Sequence, residues 1–229
     1  MAIIRPFKAI RPARDKASLV ASRSYLSYDE ATIKEKLDHN PYTFLHVINP
    51  EYNNTVKSVG ITKYKLIKNK LHDFIKNKIL IKEDSDKYYI YQKSNHNNTF
   101  TGIIASTSIK DYLDNKIKIH EQTILKRESI FKDYLEITEF NAEPVLLSHE
   151  PNKKINLILE KFINLRAEYE FTTTNKSLHK LWLVDNTDDI ISITESFKEI
   201  NNLYIADGHH RCASSALLSK DMQTEESRY

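Results

Sequence analysis

The run Leu203-Tyr204-Ile205-Ala206-Asp207-Gly208-His209-His210-Arg211-Cys212-Ala213 decides how this chain is read. Four apolar residues form a short buried strand. An acid and a glycine break it, and two histidines and an arginine open a mostly small or apolar segment, residues 212–218, that reads as a helix. A strand that ends in Asp-Gly and feeds such a helix is built to hold an anion. The helix start offers unpaired backbone N–H groups and a partial positive charge. Arg211 adds a fork of donors that matches phosphate or carboxylate. Glycine is scarce, 3 in 229 residues, so Gly208 marks a place where φ is positive or where the backbone approaches a ligand. A plain strand-to-helix turn with half-buried packing histidines is the competing reading. Clustered titratable groups at a strand end favour the ligand site.

The rest of the composition narrows the function. A length of 229 residues allows one large domain or two small ones. Hydrophobic residues at 40% and charged residues at 28% suit a globular protein with a real core. The net charge of +3, from 34 basic and 31 acidic residues, points to neither a nucleic-acid nor a membrane partner. Cys212 is the only cysteine, which excludes an internal disulfide and a cysteine-based zinc site and suits a reducing compartment. Followed by Ala-Ser-Ser-Ala, it reads as a small packing residue rather than a reactive thiol. No apolar run reaches the roughly 20 residues that span a bilayer. The opening Met1-Ala2-Ile3-Ile4-Arg5-Pro6 lacks the order of a signal peptide, so the expected location is the cytoplasm.

Along the chain, strands are expected at residues 2–10 (irregular, because of Pro6), 44–48, 87–92, 99–106, 145–148, 168–173 and 178–185. Residues 11–27 read as a loop carrying Arg11, Arg14 and Arg23. Helices are expected at 31–37, 62–79, 153–167 and 187–200, with a short helix or turn at 108–115. Residues 116–135 read as helical in their second part. Helix 62–79 is the clearest: Tyr64, Ile67, Leu71, Phe74 and Ile75 recur at spacings of three and four. The order is α+β or mixed α/β in one unit over residues 1–229. The polar end, residues 224–229, follows the last helix closely and is either a natural end or a cut within a longer protein.

A second constellation is His120-Glu121-Gln122-Thr123, followed by Lys126-Arg127-Glu128. The zinc-peptidase helix requires a histidine where Ile124 stands, so that reading fails. What remains is a general base or metal ligand at Glu121 and cations that neutralise phosphate, or simply a charged helix face. His46, inside an apolar stretch, reads as a satisfied core histidine. Arg5, Arg11 and Arg23 form a weaker set of anion contacts. Phosphate-cradling and dinucleotide glycine motifs are missing.

Arg5-Pro6-Phe7-Lys8-Ala9, Asn40-Pro41, Phe44-Leu45-His46-Val47, Tyr88-Tyr89-Ile90-Tyr91, Gly102-Ile103, His120-Glu121-Gln122-Thr123 and the Asp207 turn follow one another in an order that resembles the DUF1015 family over nearly the whole chain. Ser22-Arg23-Ser24-Tyr25 departs from it, because the family carries a Pro-Tyr-Asp segment there. Family members usually run further, so the resemblance implies an N-terminal portion of a longer protein or a short member. The Gly-His-His-Arg turn is similar to the phosphate-handling turn of the ParB/sulfiredoxin superfamily and its free serine kinases. The resemblance therefore implies a ParB/sulfiredoxin-like mixed sheet with flanking helices. It implies ATP or ADP with Mg2+, and phosphoryl transfer to a small hydroxyl compound such as a hydroxy amino acid. On that reading Gly208, His209, His210 and Arg211 take the phosphates, with Thr123, Lys126 and Arg127 facing the nucleotide. Asp207 and Glu121 act as base or magnesium ligand, beside His120. Two alternatives stand: a nucleotide-responsive binding protein without turnover, and a divalent-metal hydrolase using His120, Glu121, Asp207, His209 and His210. The expected partners are a nucleotide and a small substrate, and the sequence leaves the oligomeric state unread.

Overall fold

A computed structural model describes residues 1–24 and 27–222. In chain order it begins with β1 (Ile4–Arg5), β2 (Ile10–Pro12), a 3-10 turn (Arg14–Lys16), α1 (Ala17–Val20), α2 (Glu30–His39), α3 (Leu45–Ile48) and α4 (Gly60–Lys76). Then come β3 (Leu80–Lys82), β4 (Tyr88–Ser94), β5 (Thr99–Ile104), β6 (Ser106–Thr107), α5 (Ile109–Leu113), β7 (Ile117–Lys118) and α6 (Leu125–Thr138). The last third holds β8 (Leu146–Ser148), α7 (Lys153–Ile163), β9 (Tyr169–Thr172), β10 (Leu178–Val184), α8 (Thr187–Lys198), β11 (Leu203–Asp207) and α9 (His209–Asp221). The fold is mixed α+β.

The main sheet is antiparallel, in the order β5-β4-β10-β9. Alternation puts Tyr88 and Ile90 of β4 on the same face as their partners Val184 and Trp182 of β10, and all four are buried. That face packs on Ile155 and Phe162 of α7 and on Ile193 and Phe197 of α8. The same core takes in Ile117, Leu203 and Ile205 of a second sheet, ordered β7-β11-β8, in which β11 runs parallel to β7 and antiparallel to β8. A second cluster joins Val20, Val47, Leu80 and the buried stripe Ile67, Leu71 and Phe74 of α4, with Tyr134 of α6 against it. The helices start where short polar side chains satisfy their first N–H groups. Asp29 accepts from Thr32, Asn152 from Lys154 and Ile155, and Asn186 from Asp188 and Asp189. Among the described residues no helix is long and apolar enough to cross a membrane.

Several expectations change. The stretch 44–48 holds α3 (Leu45–Ile48), with Phe44 as its N-cap, and not a strand. The N–H groups of His46 and Val47 go to the carbonyls of Thr43 and Phe44, at 3.1 and 2.9 Å, and no neighbouring strand competes for them. The stretch 2–10 is two short strands, since Pro6 has no donor for a ladder. The loop 11–27 contains the 3-10 turn and α1. His120-Glu121 lies on a loop between β7 and α6 rather than on a helix. The last helix begins at His209, so both motif histidines are helical. The polar end 224–229 and Tyr25 of the departing Ser22-Tyr25 segment lie outside the described residues.

Candidate functional site

Strand β11 is the middle strand of its sheet and delivers Asp207 to the edge of the core. Gly208 then turns the chain at φ 103°, ψ 29° and caps α9 without a side-chain hydrogen bond. A Cβ there would stand 2.7 Å from Val145 Cγ1 and 3.0 Å from Arg211 Nε. Both the positive φ and the lack of room require glycine. The first N–H groups of α9 thus have no capping side chain.

Arg211 is held from two sides. Its Nη2 donates to Asp207 Oδ2 at 2.5 Å and its Nη1 to Glu143 Oε2 at 2.6 Å. His209 is buried. Its Nδ1 stands 3.6 Å from Glu121 Oε2, and its ring meets His120 edge-on with centroids 4.5 Å apart. Its Nε2 is buried with no hydrogen-bond partner among the described residues. His210 Nε2 accepts from the backbone N–H of Ile124 at 3.2 Å, which places the ring proton of the neutral form on Nδ1. Cys212, next in the helix, is largely covered. Burial pushes its thiol up to about 11, with Arg211 pulling weakly the other way, so it is no nucleophile at neutral pH.

Helix α6 runs alongside α9 in the same direction. Ile124 meets His210 at one end, and Lys132 Nζ meets Asp221 Oδ2 at 2.7 Å at the other. Two helix N-termini thus share one end of the layer, and the His120-Glu121 loop lies between them. The structure brings together His120, Glu121 and His209, and separately Asp207, Arg211 and Glu143. It commits Thr123 elsewhere, since its hydroxyl donates to Glu128 in the first turn of α6. Lys126 and Arg127 are exposed in that turn. Among the described residues no three His, Cys, Asp or Glu side chains gather as a metal-holding group. Asp207 and Glu121 are exposed carboxylates. They do not form a cage of protein ligands for a metal ion.

Glu143 escaped the sequence reading. It sits in a polar loop, and its partner is 68 residues away, so no periodicity marks it. Other candidates have structural roles. His46 Nε2 lies 3.1 Å from the Asn40 carbonyl, its ring meets Tyr52 edge-on, and burial lowers its pKa. Arg11 is consumed by Glu83, Glu168 and Tyr169, and Arg23 lies over the Tyr28 ring. A cleft of about 280 Å³ lies on β9, in the other sheet, and contains none of the motif residues.

A family model described as "Protein of unknown function (DUF1015)" matches residues 4–229. No curated protein and no solved structure matches the chain.

Proposed function

Because the chain belongs to the DUF1015 family over residues 4–229, whose description names no activity, we propose a function from the site itself. The start of α9 binds the phosphates of ATP or ADP, and the chain transfers a phosphoryl group to a small hydroxyl compound such as a hydroxy amino acid. The observation that carries this reading is the meeting of the His120-Glu121 loop with the α9 start, through partners 86 residues apart for Ile124 and His210. Phosphoryl transfer asks for positioning and charge neutralisation more than covalent chemistry. A phosphate at the start of α9 meets the N–H groups of His209, His210 and Arg211, where the helix dipole favours negative charge. The Arg211 fork neutralises it further. Glu121, exposed and beside His209 Nδ1, takes the proton of the substrate hydroxyl as its oxygen bonds to the γ-phosphorus and the bond to the ADP oxygen breaks. Asp207 would hold magnesium together with the phosphates, and the ion would supply further charge neutralisation. The ParB/sulfiredoxin-like arrangement and a cytoplasmic location belong to the same proposal.

Calorimetry with ATP and ADP, each with and without magnesium, tests it. Binding that Arg211→Ala weakens by about 1.5–3 kcal/mol is expected for a charge-assisted contact. A folded chain that binds neither nucleotide refutes it. A second reading, nucleotide binding without turnover, draws on Arg211 having both Nη groups engaged by carboxylates. A phosphate must then displace one of them, which is a local switch. Nucleotide binding without product across a panel of hydroxy amino acids selects that reading.

A further inference from the structure

The cleft on β9 has an electrostatic surplus that the fold does not use. Its walls include Arg14 and Ser18 on one side and residues 166–171 on the other. Strand β9 is the last of its sheet, so its outer edge carries no further strand among the described residues.

The carboxylates at the cleft already have partners. Glu168 Oε1 accepts from Arg11 Nη1 at 3.1 Å, and Arg11 also binds Glu83, which is shared with Lys87 at 2.5 Å. Glu170 pairs with Lys180 at 3.3 Å. Arg14 reaches Glu168 only at 3.9 Å, beyond hydrogen-bond length, and its side chain is 55% exposed. Arg166 makes no hydrogen bond or ion pair among the described residues, and neither does the Ser18 hydroxyl. Among the charged residues that line the cleft and the ion pairs that hold its carboxylates, the cations are Arg11, Arg14, Lys87, Arg166 and Lys180, and the acids are Glu83, Glu168 and Glu170. Five positive charges against three negative leave a surplus of two, and the guanidinium groups with free donors are those of Arg14 and Arg166.

We propose that this cleft binds a small oxyanion, a carboxylate or a phosphate, held between the guanidinium groups of Arg14 and Arg166 with the Ser18 hydroxyl as a further donor. Two planar forks on one small concavity match the paired oxygens of such a group. A volume of about 280 Å³ sits at the lower end of ligand pockets. It admits a free phosphate or a short dicarboxylate. The site is independent of the start of α9 and does not rest on the nucleotide proposal.

The test is calorimetric titration of the full chain with inorganic phosphate and, separately, with succinate at low ionic strength. The Arg211→Ala background weakens any phosphate response of the α9 turn, and succinate serves as the probe that this turn was not proposed to take. Saturable binding is expected there, weakened at least tenfold by Arg166→Gln and by Arg14→Gln, and lost in the double variant. Both side chains are exposed, so the variants should fold, and circular dichroism verifies that. Arg166→Lys keeps the charge without the fork and should recover only part of the affinity. A response to succinate alone identifies a carboxylate ligand, and a response to phosphate alone a phosphate. Binding of neither probe in the Arg211→Ala chain overturns the proposal, as does affinity that survives the double variant.

Discussion

Glu143 holds one arm of Arg211 at 2.6 Å while Asp207 holds the other at 2.5 Å, so the guanidinium of the motif meets two acids. The two acids differ in where they stand. Asp207 belongs to the turn itself, whereas Glu143 comes from the loop before β8 and occupies donor capacity that an incoming phosphate needs. Its side chain is about half exposed, and exposed pairs contribute only about 0–1 kcal/mol. Glu143→Gln should therefore leave the unfolding midpoint nearly unchanged. It should tighten ATP binding several-fold, because it frees Nη1 and removes a like charge. Calorimetry on the two chains checks this, and unchanged or weaker affinity counts against a phosphate at Arg211.

Gly208 makes a stability prediction that is independent of any ligand. Gly208→Ala must hold a Cβ at φ 103° and push it towards Val145 Cγ1, 2.7 Å away. Valine is stiff at χ1 and yields poorly. Backbone strain of this kind costs roughly 1–3 kcal/mol, so a urea midpoint reduced by that amount is expected. A wild-type midpoint would mean that the turn relaxes to another conformation.

Much of this architecture is visible as period and punctuation. The apolar spacing of helix 62–79 matches α4, offset by two or three residues at its ends, and the runs 87–92 and 178–185 match the paired β4 and β10. Periodicity misleads where a segment is short. Leu45 and Val47 alternate like a strand, yet their two buried side chains are equally served by one helical turn. The site was legible only in halves. Gly208 and its neighbours declare a turn locally, but the meeting of His120 with His209, and of Glu143 with Arg211, is made by the packing of α6 on α9 and by a loop. Such pairings leave no local signature.

The Arg11 network predicts how the chain responds to acid. Glu83 is buried and serves both Arg11 and Lys87. Burial alone would raise its pKa, but the bonds from Lys87 and Arg11 outweigh it and hold the carboxyl below its ordinary value. A carboxyl lowered in the folded state adds stability above its unfolded pKa, and that stability is lost as pH falls through the folded one. The wild-type chain should therefore lose stability on acidification below the ordinary glutamate range. Glu83→Gln should lower stability at neutral pH by about 3 kcal/mol, the scale for a buried pair that loses one partner, and should flatten that part of the acid profile. Urea unfolding of both chains across pH 3 to 7 measures this, and parallel profiles would assign the acid response to other carboxylates.

His209 is where stability and function separate most sharply. It is 4% exposed, and its Nε2 has no partner among the described residues. A buried polar atom with an unmade hydrogen bond costs about 1–3 kcal/mol. A fold that needed only packing here is served at least as well by an apolar side chain of similar volume. His209→Leu should therefore change stability by less than about 1 kcal/mol, or raise it, because it removes the unsatisfied nitrogen while still filling the space beside His120. The same substitution should reduce ATP binding at least tenfold, because it deletes a ring nitrogen at the first position of α9, beside Glu121. Paired urea unfolding and calorimetry separate the two roles. A large loss of stability with intact nucleotide affinity would identify His209 as a packing residue and leave the phosphates to the backbone and Arg211.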